Sequence, residues 1–151
     1  MSYTNESGRL QILDDSAEAA RDLDRAIAAL GEAYEHLDDN MADALEAAVF
    51  KPLQAGFGLL KRTRSEFAER FALPLAEPEP APEPAPGHPR ELLEQAGDAL
   101  QAADEAIAEL QDTLLPVEVG DQELRTGLAG VRTLIAPLPA ACDNLVRTLG
   151  R

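Results

Sequence analysis

The chain has 151 residues, with 13 Lys and Arg against 28 Asp and Glu, for a formal net charge of −15. A surface that negative repels phosphate backbones and anionic headgroups, which argues against direct binding of nucleic acid or membrane. Cys142 is the one cysteine, so no disulfide forms within the chain. The N-terminal residues carry no apolar signal core, and no apolar run approaches bilayer length. The cytoplasm is the default location.

Apolar residues make up 45% of the chain, aromatics only 4%, and there is no Trp. Ala and Leu supply much of the apolar count, and they are the strongest helix formers among apolar residues. An all-α fold follows, with helix packed on helix.

Residues 1–14 read as a polar lead-in. Asp15 is a candidate N-cap, with Glu18 three residues on completing a capping box. Ala20, Leu23, Ile27, Leu30, Tyr34 and Leu37 then step by 3 and 4, a seam on one helix face. Asp38, Asp39 and Asn40 form a turn cluster that also suits the cap of a second helix.

That second helix is expected from about Met41 to about Phe71, with a stripe of Leu45, Val49, Leu53, Phe57, Leu60, Arg64, Phe67 and Phe71. Pro52 lies inside it and predicts a kink, because its ring crowds the carbonyl of Ala48. The stripe keeps its phase beyond Pro52, so one bent helix is expected rather than two. Gly56 and Gly58 suggest a close-packed neighbour.

Residues 74–89 read PLAEPEPAPEPAPGHP. Alternating proline blocks helix and sheet and favours polyproline II. Fourteen such residues reach about 43 Å, close to the length of roughly 45 Å of a thirty-residue helix. The linker can therefore run the length of a bundle or hang free. It also matches a proline-motif ligand, although Pro-Glu and Pro-Ala spacers are far commoner as plain linkers.

Pro89 suits the first turn of a third helix, whose stripe is Leu93, Ala96, Leu100, Ala103, Ile107, Leu110 and Leu114. Pro116 and Gly120 mark the next turn. A fourth helix carries Leu124, Leu128, Val131, Ile135, Leu138, Cys142, Leu145 and Leu149. Pro137 and Pro139 predict a bend or break near Ala136, with the last segment still on the same core.

The two halves resemble each other. Residues 24–30 read DRAIAAL and residues 104–110 read DEAIAEL, identical at five of seven positions. In the second helix of each half, Leu53 aligns with Val131, Phe57 with Ile135 and Arg64 with Cys142. One hairpin cannot bury its seam alone, whereas two face to face can. The expected architecture is a four-helix bundle made of two repeated helical hairpins, residues 15–73 and 90–151, joined by the Pro-rich linker. A linker this long also permits hairpins to exchange between two chains, giving a swapped homodimer.

Motifs for chemistry are weak. A carboxylate-bridged di-metal bundle needs Glu-x-x-His on inward faces. The two histidines, His36 and His88, sit beside the seam and in the linker. Phosphotransfer on His36 is disfavoured by Asp38 and Asp39, which repel a phosphoryl group. Cys142 lies on a seam among apolar residues, which suits a buried structural thiol. No phosphate-binding Gly-rich loop and no zinc spacing is present. The expectation is a protein without enzymatic activity, metal or cofactor.

Two groups of residues remain as candidates. Lys61 and Arg62, with Phe50, Leu59 and Leu73 off the seam, form the expected partner-binding surface on the second helix. The simple alternative for its cations is pairing with acidic neighbours such as Glu66 with Arg70. Tyr34, Arg64 and Cys142 are polar positions on or near the seams and would furnish a pocket in the core. The first group predicts a protein-interaction or structural protein, an adaptor, scaffold or assembly subunit. The second predicts a small-ligand sensor or small enzyme. An exposed apolar patch on the second helix favours the former, and an enclosed cavity with Tyr34 or Arg64 turned inward favours the latter.

Overall fold

The computed structural model describes residues 2–149, with side chains from Asn5 onward. The chain is all-helical, as its Ala/Leu composition predicts, and no strand occurs among the described residues. The elements are α1 (Ser2–Tyr34), α2 (Asp39–Leu45), a π-helical turn (Glu46–Phe50), α3 (Lys51–Arg70), α4 (Pro89–Asp112), α5 (Leu115–Glu118), α6 (Gln122–Ile135) and α7 (Leu138–Leu149). Among the described residues no helix is long and apolar enough to cross a membrane.

The lead-in expected over residues 1–14 is instead the first part of α1, from Ser2 onward; Met1 lies outside the described residues. Ile12 and Leu13 are buried in the core. Leu13, Ser16, Ala20 and Leu23 step by 3 and 4, so the seam extends upstream in phase. Burial along that face outweighs the local N-cap signal at Asp15, which instead accepts a bond from Gln11 one turn back.

Pro52 is accommodated without breaking the helical path. The backbone stays right-handed helical through Leu45, Phe50 and Lys51, and the Lys51 N–H donates to the Glu46 carbonyl five residues back. A proline leaves the carbonyl four residues back without its donor and crowds it. The wider π turn sits just where that crowding falls. At Pro137 and Pro139, α6 ends at Ile135 and α7 begins at Leu138, with Leu138, Cys142, Leu145 and Val146 still buried.

Two side-chain caps set the starts of α2 and α6. Asp38 accepts from the Met41 N–H at 2.8 Å, and Asp121 accepts from the Leu124 N–H at 2.9 Å. At the end of α3, Ala72 takes a positive φ of 51° and the Leu73 N–H returns to the Ala68 carbonyl at 2.8 Å. Leu114, expected on the seam of the third helix, lies past its end with φ 69° and is 56% exposed.

α1 runs antiparallel to α3: Arg9 lies over Phe71, and Ser16 meets Arg64. α4 runs antiparallel to α6, with Asp104 bonded to Arg132. The more extensive packing is between the halves, α1 on α4 and α3 on α6. Gly8 of α1 lies against Leu115 and Val119, and Gly56 of α3 against Leu134 and Ile135 of α6. α3 and α4 consequently point the same way, so residues 71–88 must travel the length of the helices to join them. Gly56 does admit a neighbour closely, since an added Cβ would lie 2.9 Å from Ile135; Gly58 has no helix against it.

Candidate functional site

The connection between α3 and α4 is extended, without hydrogen bonds of its own. Its half-buried residues include Pro78, Ala81 and Pro84, one in every three. That is the period of a polyproline II helix laying one edge on a surface. The Ala81 N–H donates to Asp24 Oδ2 of α1 at 2.8 Å. Further along, residues 82–85 lie beside Arg25 and Ala29 of α1 and Asp98 of α4. The linker is thus laid along α1 rather than hanging free.

Beneath its first part is an open groove of about 500 Å³. α1 supplies Ala20, Arg21 and Asp24, and α3 supplies Phe57, Lys61, Arg62, Arg64 and Ser65. The linker closes one side with Leu75, Glu77, Pro78, Glu79 and Pro80. Four cations therefore face a strip carrying two carboxylates, with Asp24 on the α1 wall.

Arg64 is the innermost of these cations. Only 6% exposed, it donates from Nε to Ser16 Oγ at 2.9 Å and from Nη2 to the Leu13 carbonyl at 3.1 Å. Burial pulls its pKa below the usual arginine value; the carboxylates of Glu77 and Asp14 act in the opposite direction. A guanidinium remains protonated in proteins, so a full charge is held here by two neutral acceptors.

The alternative reading, pairing of the cations with acidic residues, holds for Arg70 but with a partner on another helix. Arg70 binds Asp121 of α6 through two bonds of 2.6 and 2.9 Å, not Glu66. Arg132 pairs with Asp104, and Arg25 with Asp22. No ion pair within 4.0 Å involves Arg21, Lys61, Arg62 or Arg64 among the described residues. Lys61 stands 5.3 Å over the Phe57 ring, a cation–π contact.

The apolar members of the expected contact surface lie elsewhere. Phe50, Leu59 and Leu73 are half-buried against the core. Leu59 faces α6, where an added Cβ on Gly130 would come within 3.0 Å of it. The apolar girth of α3 packs on its neighbours α1 and α6, and among the described residues none of its large apolar side chains is exposed. The exposed large apolar residues among those described are Tyr34, Leu75, Leu114 and Val117.

Nor do the three polar seam residues meet. Tyr34 ends α1 and is 43% exposed, so it is not a core position. Cys142 is buried on α7 beside Gly97, and burial pushes its thiol up to about 12. That leaves it protonated and inert at neutral pH. Arg64 alone reaches a groove, and the groove is open rather than enclosed.

Sequence reading missed Ser16, Arg21, Asp24 and Glu77. Ser16 continues the seam phase from Ala20, and Asp24 opens the DRAIAAL segment, so both had a signal. The linker carboxylates had none, because nothing in a polyproline pattern says where it docks. Among the described residues no group of three or more His, Cys, Asp or Glu side chains is placed to hold a metal. Compared with protein-family models, curated proteins and solved structures, the chain matches none.

Proposed function

We propose that this chain is a non-enzymatic protein-interaction or structural protein, an adaptor, scaffold or assembly subunit, built as a four-helix bundle from two repeated hairpins. The repeat reading is supported by the register between halves. Gly56 packs on Leu134, the residue matched to it in the other copy, and self-contact of a matched pair is what a two-fold axis requires. Cys142, matched to Arg64, sits beside Gly97, next to Ala96, the match of Ser16.

The observation that carries the functional reading is the contact between the basic groove and the linker. A face of α3 that carries Lys61, Arg62 and Arg64 borders an open groove whose other side is an extended acidic segment rather than a helix. Such a segment is recognised through an edge and a few charges, so another of the same character can take its place. The groove is thus a site for an extended acidic, proline-containing segment of a protein partner, with its own linker as the resident. A hairpin-swapped homodimer would use the same surfaces, and its mass in solution separates it from the monomer.

The test replaces residues 75–85 by Gly and Ser at equal length, leaving the groove open. A labelled peptide of residues 74–89 is then titrated in by fluorescence anisotropy. Saturable binding is expected, weakened about tenfold or more by Lys61→Glu with Arg62→Glu. No binding to the opened chain would sink the reading.

A further inference from the structure

We infer that the groove beneath the linker holds an anion-binding site centred on Arg64, whose ligand is a phosphate-type oxyanion.

The first observation is charge without a partner. Arg21, Lys61, Arg62 and Arg64 converge on one groove, and none is in an ion pair. Elsewhere Arg25, Arg70, Arg90 and Arg132 are in ion pairs and Arg9 and Arg125 bond single backbone carbonyls, so what sets this group apart is four cations on one groove. In a chain of net charge −15, carboxylates are not in short supply. At physiological salt, charges more than about 8 Å away are largely screened, so the local set decides what binds: these four cations against Asp24, Glu77 and Glu79 of the same lining.

A second observation concerns Arg64 itself. A guanidinium has five N–H donors. Nε goes to Ser16 and one Nη2 donor to the Leu13 carbonyl. Nη1 has no protein acceptor, yet no side-chain N or O of the described residues is buried without a partner. The free edge of the fork must therefore open on the groove that Arg64 lines. Ser16 and Leu13 hold the plane of the group, which is the preorganised geometry that planar, two-pronged recognition of an oxyanion needs.

The third observation rests on the repeat reading above. The matched site in the second half carries Cys142 and Ala96 where the first has Arg64 and Ser16. Both members of the polar pair are apolar there, and Cys142 is buried. Packing at this position does not call for a charge, while burying one is costly. The linker supplies the fourth. Glu77 is the carboxylate that acts most strongly on Arg64, although it makes no ion pair with it. It is a tethered weak occupant that a stronger anion displaces.

The probe is pyrophosphate, titrated into the full-length chain by calorimetry, with the Arg Nε–H signals followed by NMR. A saturable site with Kd of about 1 mM or tighter is expected, with the Arg64 signal shifting. Glu77→Gln with Glu79→Gln should tighten it about twofold to fivefold, and Lys61→Ala with Arg62→Ala should weaken it. The decisive variant is Arg64→Cys with Ser16→Ala, which transplants the second half's pair. It should retain the helical circular dichroism and cooperative unfolding and lose the site. If it fails to fold, the correspondence between halves fails at this position and the Arg is structural. If it folds and still binds, the site is not centred on Arg64. If neither the natural chain nor the Glu77/Glu79 variant binds pyrophosphate, the anion site is wrong even though the repeat stands.

Discussion

Arg64 donates to Ser16 across 48 positions of sequence, at 2.9 Å, with both side chains buried between α1 and α3. The bond ties α1 to α3 beside the groove that the linker borders. It also fixes the one charged side chain that reaches from the core into the groove.

α3 and α6 approach each other closely at Gly127. A Cβ there would lie 2.6 Å from Thr63 Cγ2 and 3.0 Å from Thr63 Cβ. Thr63 is buried and β-branched, so it has little room to turn. Gly127→Ala should cost about 1–3 kcal/mol in urea unfolding. Gly31→Ala, with nothing within 4 Å of the added carbon, should instead gain up to about 1 kcal/mol through helix propensity. Equal effects at the two sites would contradict the close contact.

Ala72 holds a left-handed conformation after α3, with φ 51°. A Cβ is disfavoured there and glycine is not. Ala72→Gly should raise stability by about 0.5–1 kcal/mol, read as a higher urea midpoint with an unchanged slope.

Asp121 links stability to pH. Its carboxyl is held below the ordinary aspartate value, first by the hydrogen bond from Arg70 and then by the Leu124 N–H, against the opposing effect of burial. A depressed folded-state value stabilises at pH above the unfolded value and is lost as the pH falls through the folded one. At pH 7 Asp121→Ala should cost about 1–2 kcal/mol as a lost cap. The gap to the natural chain should narrow steadily below about pH 4. A gap that is constant with pH would remove the ionised form from the explanation.

Cys142 should report global opening. Its thiol is 1% exposed and pushed up to about 12. At pH 8 a thiol reagent should label the native chain only through unfolding, with the rate rising in step with the denatured fraction in urea. Rapid labelling without denaturant would show that α7 detaches from α4 independently.

The helices were legible because one pattern, steps of 3 and 4, runs through them regardless of local signals. The same pattern was misread at Asp15, where a capping box looked like a start although Leu13 and Ser16 were already in phase. Pro52 was legible as a disturbance but not as a π turn, since proline says where a bond is lost and not how the backbone makes room. Lys61, Arg62 and Arg64 stood out in the sequence as a cluster. The partner of nearby Arg70 did not, because Glu66 is favoured by helix spacing while Asp121 is brought in only by the packing of α6. The position of the linker was least legible. Its composition fixes stiffness and reach, and the bond from Ala81 to Asp24 depends on which way α3 and α4 point.

Amide hydrogen exchange of Ala81 in the full-length chain tests the docked linker most directly. Its N–H is bonded to Asp24 at 2.8 Å, whereas Ala76 in the same segment is exposed. Slower exchange at Ala81 than at Ala76 is predicted, lost in Asp24→Ala while the helical amides stay protected. Exchange at Ala81 as fast as at Ala76 in the natural chain would contradict a linker seated along α1 and leave the basic groove uncovered.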